Sequence, residues 1–288
     1  MPAYKNISDV VNSAVSKNTS VGRAVMLDEA AESEKTLQQV LDKMVGYLQV
    51  MKQADEKGSS PDMEGPLYNA DAYKMKKAIQ DGVLPNDLAT RAVQKAIAVN
   101  GLNSLRGKVV ATPTGGACGI LPGVLLAAQE EWGYTDEQLA EAMFAAAGMG
   151  IPIAENGTLS GSVGGCQAEC GSGAAMAAAA LADLRGGMPQ MVADAFCIAC
   201  TASMGLICDP LGDVSCPCVK RNGMYAAVAI SAAFMALSGI KSQVPHDQVL
   251  LSFCDVSLDV GKKFSKIKER VGLQKTEFAK SLNPKDFH

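Results

Sequence analysis

The sequence predicts a mainly α-helical protein, and three observations support this. Hydrophobic residues make up 48% of the chain and aromatic ones only 5%. The core is therefore built mainly from Ala, Val, Leu, Ile and Met, a composition that favours helices. Apolar residues recur at steps of three and four, the period of an α-helix. The sequence also lacks the alternation of strand and helix signals that would predict a parallel sheet. We therefore expect a single compact, all-helical domain over residues 1–288.

Composition divides this domain into three parts. Residues 1–106 are predicted to form an N-terminal helical layer. Residues 107–250 are rich in small residues and hold all but one of the nine cysteines, and residues 251–288 form a C-terminal tail. Because the thiols and the glycine-rich turns share the middle part, we expect the functional site there.

Helix signals follow one another along the first two parts. In the layer, the predicted spans are residues 28–51, ending before Gly58, residues 70–80, and a stretch from a cap at Asn86 or Asp87 through Val99. In the middle part, they are residues 120–129, residues 135–148 opened by a capping box, residues 174–184, and the apolar segments 195–207 and 224–240. Both apolar segments are shorter than the about 18 to 20 residues of a membrane span, so they are predicted to be buried core helices.

Charge and cysteine usage exclude several classes of partner. The formal net charge is −4 with both signs interleaved, which predicts no nucleic-acid partner and no attachment to a membrane. The N-terminus lacks the pattern of a signal peptide, and the number of cysteines is odd. A reducing, cytoplasmic location is the natural prediction.

The cysteines are the strongest chemical signal. Cys197, Cys200 and Cys254 lie in apolar helical contexts and are predicted to pack as small hydrophobic residues. Others lie beside glycine or proline, where a thiolate can point into a cleft. A zinc site is disfavoured, because the Cys197-x-x-Cys200 pair has no matching second pair. Three spread thiolates instead suit a [4Fe-4S] cluster with one open iron, a Lewis acid suited to dehydration.

A glycine-rich turn over residues 112–119 precedes an apolar helix. Its free N–H groups and the helix dipole suit a carboxylate, although a tight structural turn is the alternative. Asn156 and Asn222 could orient a substrate or cap helix ends. Lys108, Lys220 and Arg221 could bind a carboxylate or form salt bridges. A general base is not evident, because His246 looks like an exposed helix start and His288 is the last residue.

Four motifs together resemble one family. They are ATPTGGACGILP at 111–122, GGCQAE at 164–169, CDP at 208–210 and PCVKRN at 217–222. These motifs closely resemble the α chain of the iron–sulfur-dependent L-serine dehydratases, and the similarity runs in order from about residue 5 to residue 250.

This resemblance implies an oxygen-sensitive ammonia-lyase of amino-acid degradation and gluconeogenesis, which converts L-serine to pyruvate and ammonia without pyridoxal phosphate. The cluster ligands map onto Cys166, Cys208 and Cys218, and Gln167 and Glu169 are expected beside them. Thr114, Gly115 and Gly116 are expected to hold the substrate carboxylate, with Asn156 and Asn222 as further substrate contacts. The base is expected from a separate β chain with a Ser-Ser-His-Thr motif, in a hetero-oligomer.

Some alternatives stay open at this point. The substrate could be L-threonine or L-cysteine, or the chain could be a non-catalytic metal-binding or redox protein. Cys216 could compete with Cys218 as a ligand. Cys170 stands where the family usually has an apolar residue, and its role is unassigned. The tail departs from the family after about residue 249, and His288 could reach the site.

Overall fold

A computed structural model describes residues 4–65, 68–208, 216–265 and 272–281. The α-helices are α1 Ile7–Ser16, α2 Val21–Glu32, α3 Leu37–Gly58, α4 Asp71–Gln80, α5 Leu88–Ser104, α6 Ile120–Trp132, α7 Asp136–Asn156, α8 Gly161–Cys166, α9 Ser172–Leu184, α10 Pro189–Thr201, α11 Cys216–Leu237, α12 His246–Ser265 and α13 Glu277–Ser281. Short 3-10 helices span Gly115–Ala117 and Gly272–Lys275, a π-helix spans Gln167–Gly171, and strands β1 Glu64–Gly65 and β2 Tyr68–Asn69 form an antiparallel pair. The prediction of a mainly helical fold is confirmed.

The N-terminal layer holds more helices than the sequence predicts. The single helix predicted over residues 28–51 is wrong, because α2 ends at Glu32 and the chain turns through Glu34, whose φ is 54°. Thr36 then caps α3 in a capping box with Gln39. The helix includes Gly58 instead of ending before it. A Cβ there would lie 2.0 Å from the Ala98 carbonyl oxygen, so glycine lets α3 pack closely on α5.

Other predicted helices are present with shifted ends. Asp87 is the cap of α5 and accepts a 2.8 Å hydrogen bond from the Thr90 N–H. Helix α7 continues past its predicted end at Gly148 to Asn156. Gly148 lies inside the helix, where the missing side chain leaves room for Val25. The apolar segments correspond to α10 and α11, which both begin and end earlier than predicted. Within the described residues, no helix is long and apolar enough to cross a membrane.

The centre of the molecule is α9. Residues 174–182 of this helix are buried, and seven of them are alanine. Alanine lets neighbouring backbones approach closely, and α6, α7, α10 and α11 all pack against α9. The π-helix lies at the N-terminal end of α9, so the residues around Cys166 are set directly on this rigid core.

Candidate metal centre

Cys166 is positioned by an unusual backbone. Gly165, just before it, has φ 74° and ψ −177°, a conformation that favours glycine. A Cβ on Gly165 would lie 2.6 Å from the Leu206 carbonyl oxygen and 3.3 Å from the Cys208 nitrogen. The Gln167 N–H also donates to the Leu206 carbonyl at 3.0 Å. The end of α8 is therefore packed on residues 206–208, and Cys166 and Cys208 come from adjoining backbone segments.

Gln167 holds the contact between the end of α8 and residues 206–208 in place. Its side chain is fully buried. The Nε2 group donates to the Phe253 carbonyl at 2.6 Å, and Oε1 accepts from the Gly205 N–H at 2.7 Å. A single amide thereby ties the π-helix to α12 and to the segment that leads to Cys208.

The Cys166 sulfur is the acceptor at the centre of the site. The thiols of Cys170 and then Cys218 donate to it, and Arg221 adds charge and a hydrogen bond from Nη1 at 3.0 Å. Together these donors hold the pKa of Cys166 well below its usual range, although burial opposes them. The same contacts, with burial, raise the pKa of Cys170 and of Cys218. The structure thus favours one thiolate and two thiols.

The three predicted ligands lie in one region. Cys166 and Cys218 are in hydrogen-bond contact, and Cys208 is close enough for its charge to raise the pKa of Cys218. We call Cys166, Cys170, Cys208 and Cys218 the thiol cluster. The Asp209-Pro210 part of the predicted motif lies in residues 209–215, outside the described residues. Cys216 begins α11, and its competition with Cys218 stays a prediction.

A site for a single metal ion has different requirements from a site for an iron–sulfur cluster. Among the residues that the structure describes, no three or more His, Cys, Asp or Glu side chains are grouped to hold one metal ion. A [4Fe-4S] cluster does not require such a group, because each cysteine binds a different iron. The three cysteines predicted to pack as hydrophobic residues are buried, which agrees with that prediction: Cys197, Cys200 and Cys254.

The glycine turn, residues 112–119, lies beside the thiol cluster. Asn222 is fully buried between them: Oδ1 accepts from the Gly119 N–H at 2.9 Å, and Nδ2 donates to the carbonyls of Gly116 and Cys218 at 2.8 Å. The N–H groups of Gly115 and Gly116 find no acceptor among the described residues. Free donors at the start of a helical segment form an anion site.

Two asparagines that the sequence did not reveal, Asn100 and Asn103, and the predicted residues Thr114 and Glu169 complete this turn. Asn103 donates to the Gly115 carbonyl at 2.9 Å, and Asn100 donates to the Gly115 and Gly116 carbonyls at 3.2 Å. Thr114 Oγ1 donates to Glu169 Oε1 at 2.9 Å, and burial raises the pKa of this carboxyl. The only sequence signal of the two asparagines is polar residue type, because their contacts cross from 12 to 16 positions of the chain.

Comparison with known proteins decides the family. A family model for the serine dehydratase alpha chain matches residues 16–273. The chain belongs to the serine dehydratase alpha-chain family. It is 38% identical over 250 residues to the probable L-serine dehydratase alpha chain of Bacillus subtilis, covering 86% of this chain and 83% of that protein. It is 32% identical over 256 residues to the L-serine dehydratase alpha chain of Peptoniphilus asaccharolyticus, covering 88% and 87%.

A third relative is longer. The L-serine dehydratase of Streptomyces coelicolor is 41% identical over 172 residues, which are 59% of this chain and 38% of that protein. The predicted family and the predicted class of enzyme, an ammonia-lyase of the L-serine dehydratase type, are confirmed by these comparisons.

The remaining predicted residues of this alpha chain have other contacts. Asn156 ends α7, and its Nδ2 donates to the Pro152 carbonyl at 2.8 Å and the Lys5 carbonyl at 2.7 Å, so its role in substrate binding stays a prediction. Lys220 pairs with Asp71 at 2.6 Å. His246 begins α12 as predicted but is half-buried, with Nε2 2.8 Å from Asp194. His288 lies outside the described residues.

Proposed function

We propose that this alpha chain dehydrates and deaminates L-serine to pyruvate and ammonia, with a [4Fe-4S] cluster and a β chain. The observation that supports this most directly is the thiol cluster, in which Arg221 contacts the Cys166 sulfur and the pKa of Cys166 is lowered, beside the glycine turn. Such a site in a reducing, cytoplasmic setting keeps its thiols available for iron.

The donor set fits the proposed cluster. Thiolate sulfur is the ligand that iron–sulfur clusters prefer, and Cys166, Cys208 and Cys218 supply it from three separate segments of the chain. Arg221 adds a positive charge, which offsets the negative charge of thiolates in a buried place. When bound, the cluster supplies an iron that polarises a hydroxyl group and makes it a better leaving group.

The glycine turn binds the carboxylate of the substrate in this proposal. The N–H groups of Gly115 and Gly116 supply the donors, next to Thr114, whose hydroxyl donates to Glu169. The amides of Asn100 and Asn222 hold the turn in shape. Because Asn222 touches both Gly116 and Cys218, a carboxylate on the turn lies beside the thiol cluster. This fixed geometry orients the amino acid for elimination.

Loss of the α-proton needs an acceptor, and we assign it to the β chain. His246 is the histidine that the described residues contain, and it is committed to Asp194. The relatives in Bacillus subtilis and Peptoniphilus asaccharolyticus are named alpha chains, and the match covers only 38% of the longer Streptomyces coelicolor protein. Both facts support a second polypeptide that completes the site.

Anaerobic reconstitution with iron and sulfide tests the cluster. We expect a visible iron–sulfur absorbance that is lost in Cys166→Ser, Cys208→Ser and Cys218→Ser. Cys197→Ser is the matched control and keeps it, because that thiol is buried in the core. If Cys216→Ser loses the iron–sulfur absorbance and Cys218→Ser retains it, the assignment of Cys218 as a ligand is wrong.

Pyruvate formation with the β chain present tests the reaction. We expect turnover of L-serine; preferential turnover of L-threonine or L-cysteine would reassign the substrate. Absence of any iron–sulfur absorbance would favour a non-catalytic metal or redox protein instead.

A further inference from the structure

The side chain of Glu169 lies between the glycine turn and the start of α8. Its Oε1 accepts a hydrogen bond from the Thr114 hydroxyl at 2.9 Å, and the Gly161 N–H also donates to the carboxyl group. A Cβ on Gly116 would lie 2.7 Å from Glu169 Oε2, and a Cβ on Gly161 would clash with the same oxygen. Two glycines therefore make the space that this carboxyl group occupies, and a side chain at either position would displace it.

Only neutral groups contact the carboxyl group of Glu169, although it is half-buried. Among the residues that the structure describes, no lysine, arginine or histidine pairs with it. The nearby guanidinium of Arg221 instead contacts the Cys166 sulfur at 3.0 Å. A carboxylate that is partly removed from water is stabilised by a cation in contact with it. The position of Glu169 thus suits a positively charged group of a ligand.

The neighbouring turn limits what this positively charged group can belong to. The N–H groups of Gly115 and Gly116 suit a carboxylate, and the carboxyl group of Glu169 lies directly against Gly116. A ligand with a carboxylate alone would place two like charges side by side, which is unfavourable in a half-buried site. In an α-amino acid the ammonium group is bonded to the carbon that carries the carboxylate. Such a ligand therefore matches two adjacent subsites of opposite charge.

We propose that Glu169 binds the α-ammonium group of the substrate and makes the site select amino acids over carboxylic acids that lack this group. The inference rests on the proposed function, in which the glycine turn holds the substrate carboxylate. Glu169 is then a substrate-binding residue and not only a neighbour of the thiol cluster. Its contacts with Thr114 and Gly161 hold the carboxylate in place before the ligand arrives, which reduces the entropy lost on binding.

Steady-state kinetics of the reconstituted alpha chain with the β chain test this assignment. The probe is 3-hydroxypropionate, which has the carboxylate and the hydroxyl of L-serine but no ammonium group. In the wild type, we expect its inhibition constant to exceed the KM for L-serine about tenfold or more, because it lacks the charged hydrogen bond to Glu169. In Glu169→Gln, the KM for L-serine should rise about tenfold, whereas the inhibition constant of 3-hydroxypropionate should stay the same or fall.

Two further variants complete the experiment. Glu56→Gln is the matched control, because it makes the same change on the exposed side of α3 and should leave both constants at the wild-type values. Glu169→Asp keeps the charge on a shorter side chain and should recover part of the preference for L-serine. Iron–sulfur absorbance and helical circular dichroism report whether each variant is folded. Should Glu169→Gln unfold, the wild type carries the test: an inhibition constant equal to the KM for L-serine overturns the proposal, and one about tenfold higher supports it.

The outcomes separate this inference from the proposed function. If Glu169→Gln raises the KM for L-serine and the inhibition constant of 3-hydroxypropionate equally, Glu169 only supports the turn. If it lowers kcat at unchanged KM, Glu169 acts on a proton and not on the ammonium group. Either result overturns the inference while the proposed function stands. If the wild type turns over no amino acid, both proposals fall.

Discussion

At the scale of single residues, two equally buried cysteines have opposite acid–base properties. Cys166 and Cys200 are both fully buried. Burial, together with the charges of Cys197 and Cys254, raises the pKa of Cys200, whereas the thiol donors and Arg221 lower that of Cys166. Desolvation acts on both sulfurs, so the hydrogen-bond donors and the charge of Arg221 account for the opposite directions of the two pKa shifts. Cys170 is one of these donors, which gives the thiol that the sequence left unassigned a definite contact.

Asp183 makes stability depend on pH. Its carboxylate accepts from the N–H groups of Val21 and Gly22 at 2.8 and 3.0 Å, yet burial raises its pKa to about 6. A raised carboxyl pKa contributes stability that is present at low pH and lost as pH rises through about 6. We expect the unfolding free energy of wild type relative to Asp183→Asn to rise by about 1–3 kcal/mol from pH 7.5 to pH 4.5, by urea denaturation.

Asp87 provides the control of opposite sign. The N–H of Thr90 lowers the pKa of this exposed cap of α5, so its contribution is present at neutral pH and lost as the pH falls. An Asp87→Asn variant should therefore differ from wild type less at pH 4.5 than at pH 7.5. If both variants showed the same pH trend, the burial argument for Asp183 would be wrong.

Asn222 and Asn156 are both predicted substrate contacts, and their amides hold different parts of the structure. Asn222→Ala leaves the buried Gly119 N–H without its acceptor and loosens the turn, so we expect a loss of about 1–3 kcal/mol in stability and a raised KM for L-serine. Asn156→Ala should leave KM unchanged, because its amide holds backbone carbonyls. Steady-state kinetics with the β chain measure both, and a raised KM only in Asn156→Ala would reverse the assignment.

How much of the site could be predicted varies with the kind of residue. Cysteines in turns and the glycine turn carry a signal in their own sequence context. Asn156 and Asn222 carry the same signal, a polar residue near a helix end, and only their contacts distinguish them. The amides of Asn100 and Asn103 were missed, because hydrogen bonds between distant positions leave no local pattern.

At the scale of elements, the junction between α8 and α9 shapes the site. Gly165 interrupts the helix and the π-helix follows it, which turns Cys166 toward residues 206–208. Sequence patterns could not predict this, because glycine serves here as a kink but in α7 as a packing residue at Gly148. The presence of helices was predictable from periodicity. The positions of their ends were not, because they depend on which neighbouring residue packs against each glycine.

A glycine substitution tests the junction. In Gly165→Ala the new Cβ would need a left-handed φ and would meet the Leu206 oxygen, so we expect a loss of about 1–3 kcal/mol in stability and a loss of iron–sulfur absorbance on reconstitution. Gly46→Ala is the control: nothing lies within 4 Å of its Cβ on the exposed side of α3, and about 0.5–1 kcal/mol of stabilisation is expected. Equal behaviour of the two variants would contradict the role of the kink.

At the scale of the whole molecule, the predicted layer and core share one interior. The larger of two clusters of buried hydrophobic residues runs from Tyr4 to Cys254. Helices α2 and α3 of the layer pack on α7, and α5 packs on both α6 and α11. The Asp183 carboxylate of α9 also binds the start of α2. The layer thus covers apolar surface that residues 107–250 cannot bury alone.

A shared interior predicts a single cooperative unfolding transition. In reduced protein without iron, circular dichroism reports the helices of the entire chain, while fluorescence reports Trp132, the only tryptophan, which lies at the end of α6 against Arg185. We expect both signals to change at the same urea concentration, because separating the layer would expose the apolar faces of α6, α7 and α11 to water. A fragment of residues 107–288 should accordingly fail to give a cooperative transition. Distinct midpoints for the two signals, or a folded fragment, would show that the layer and the core are independent domains.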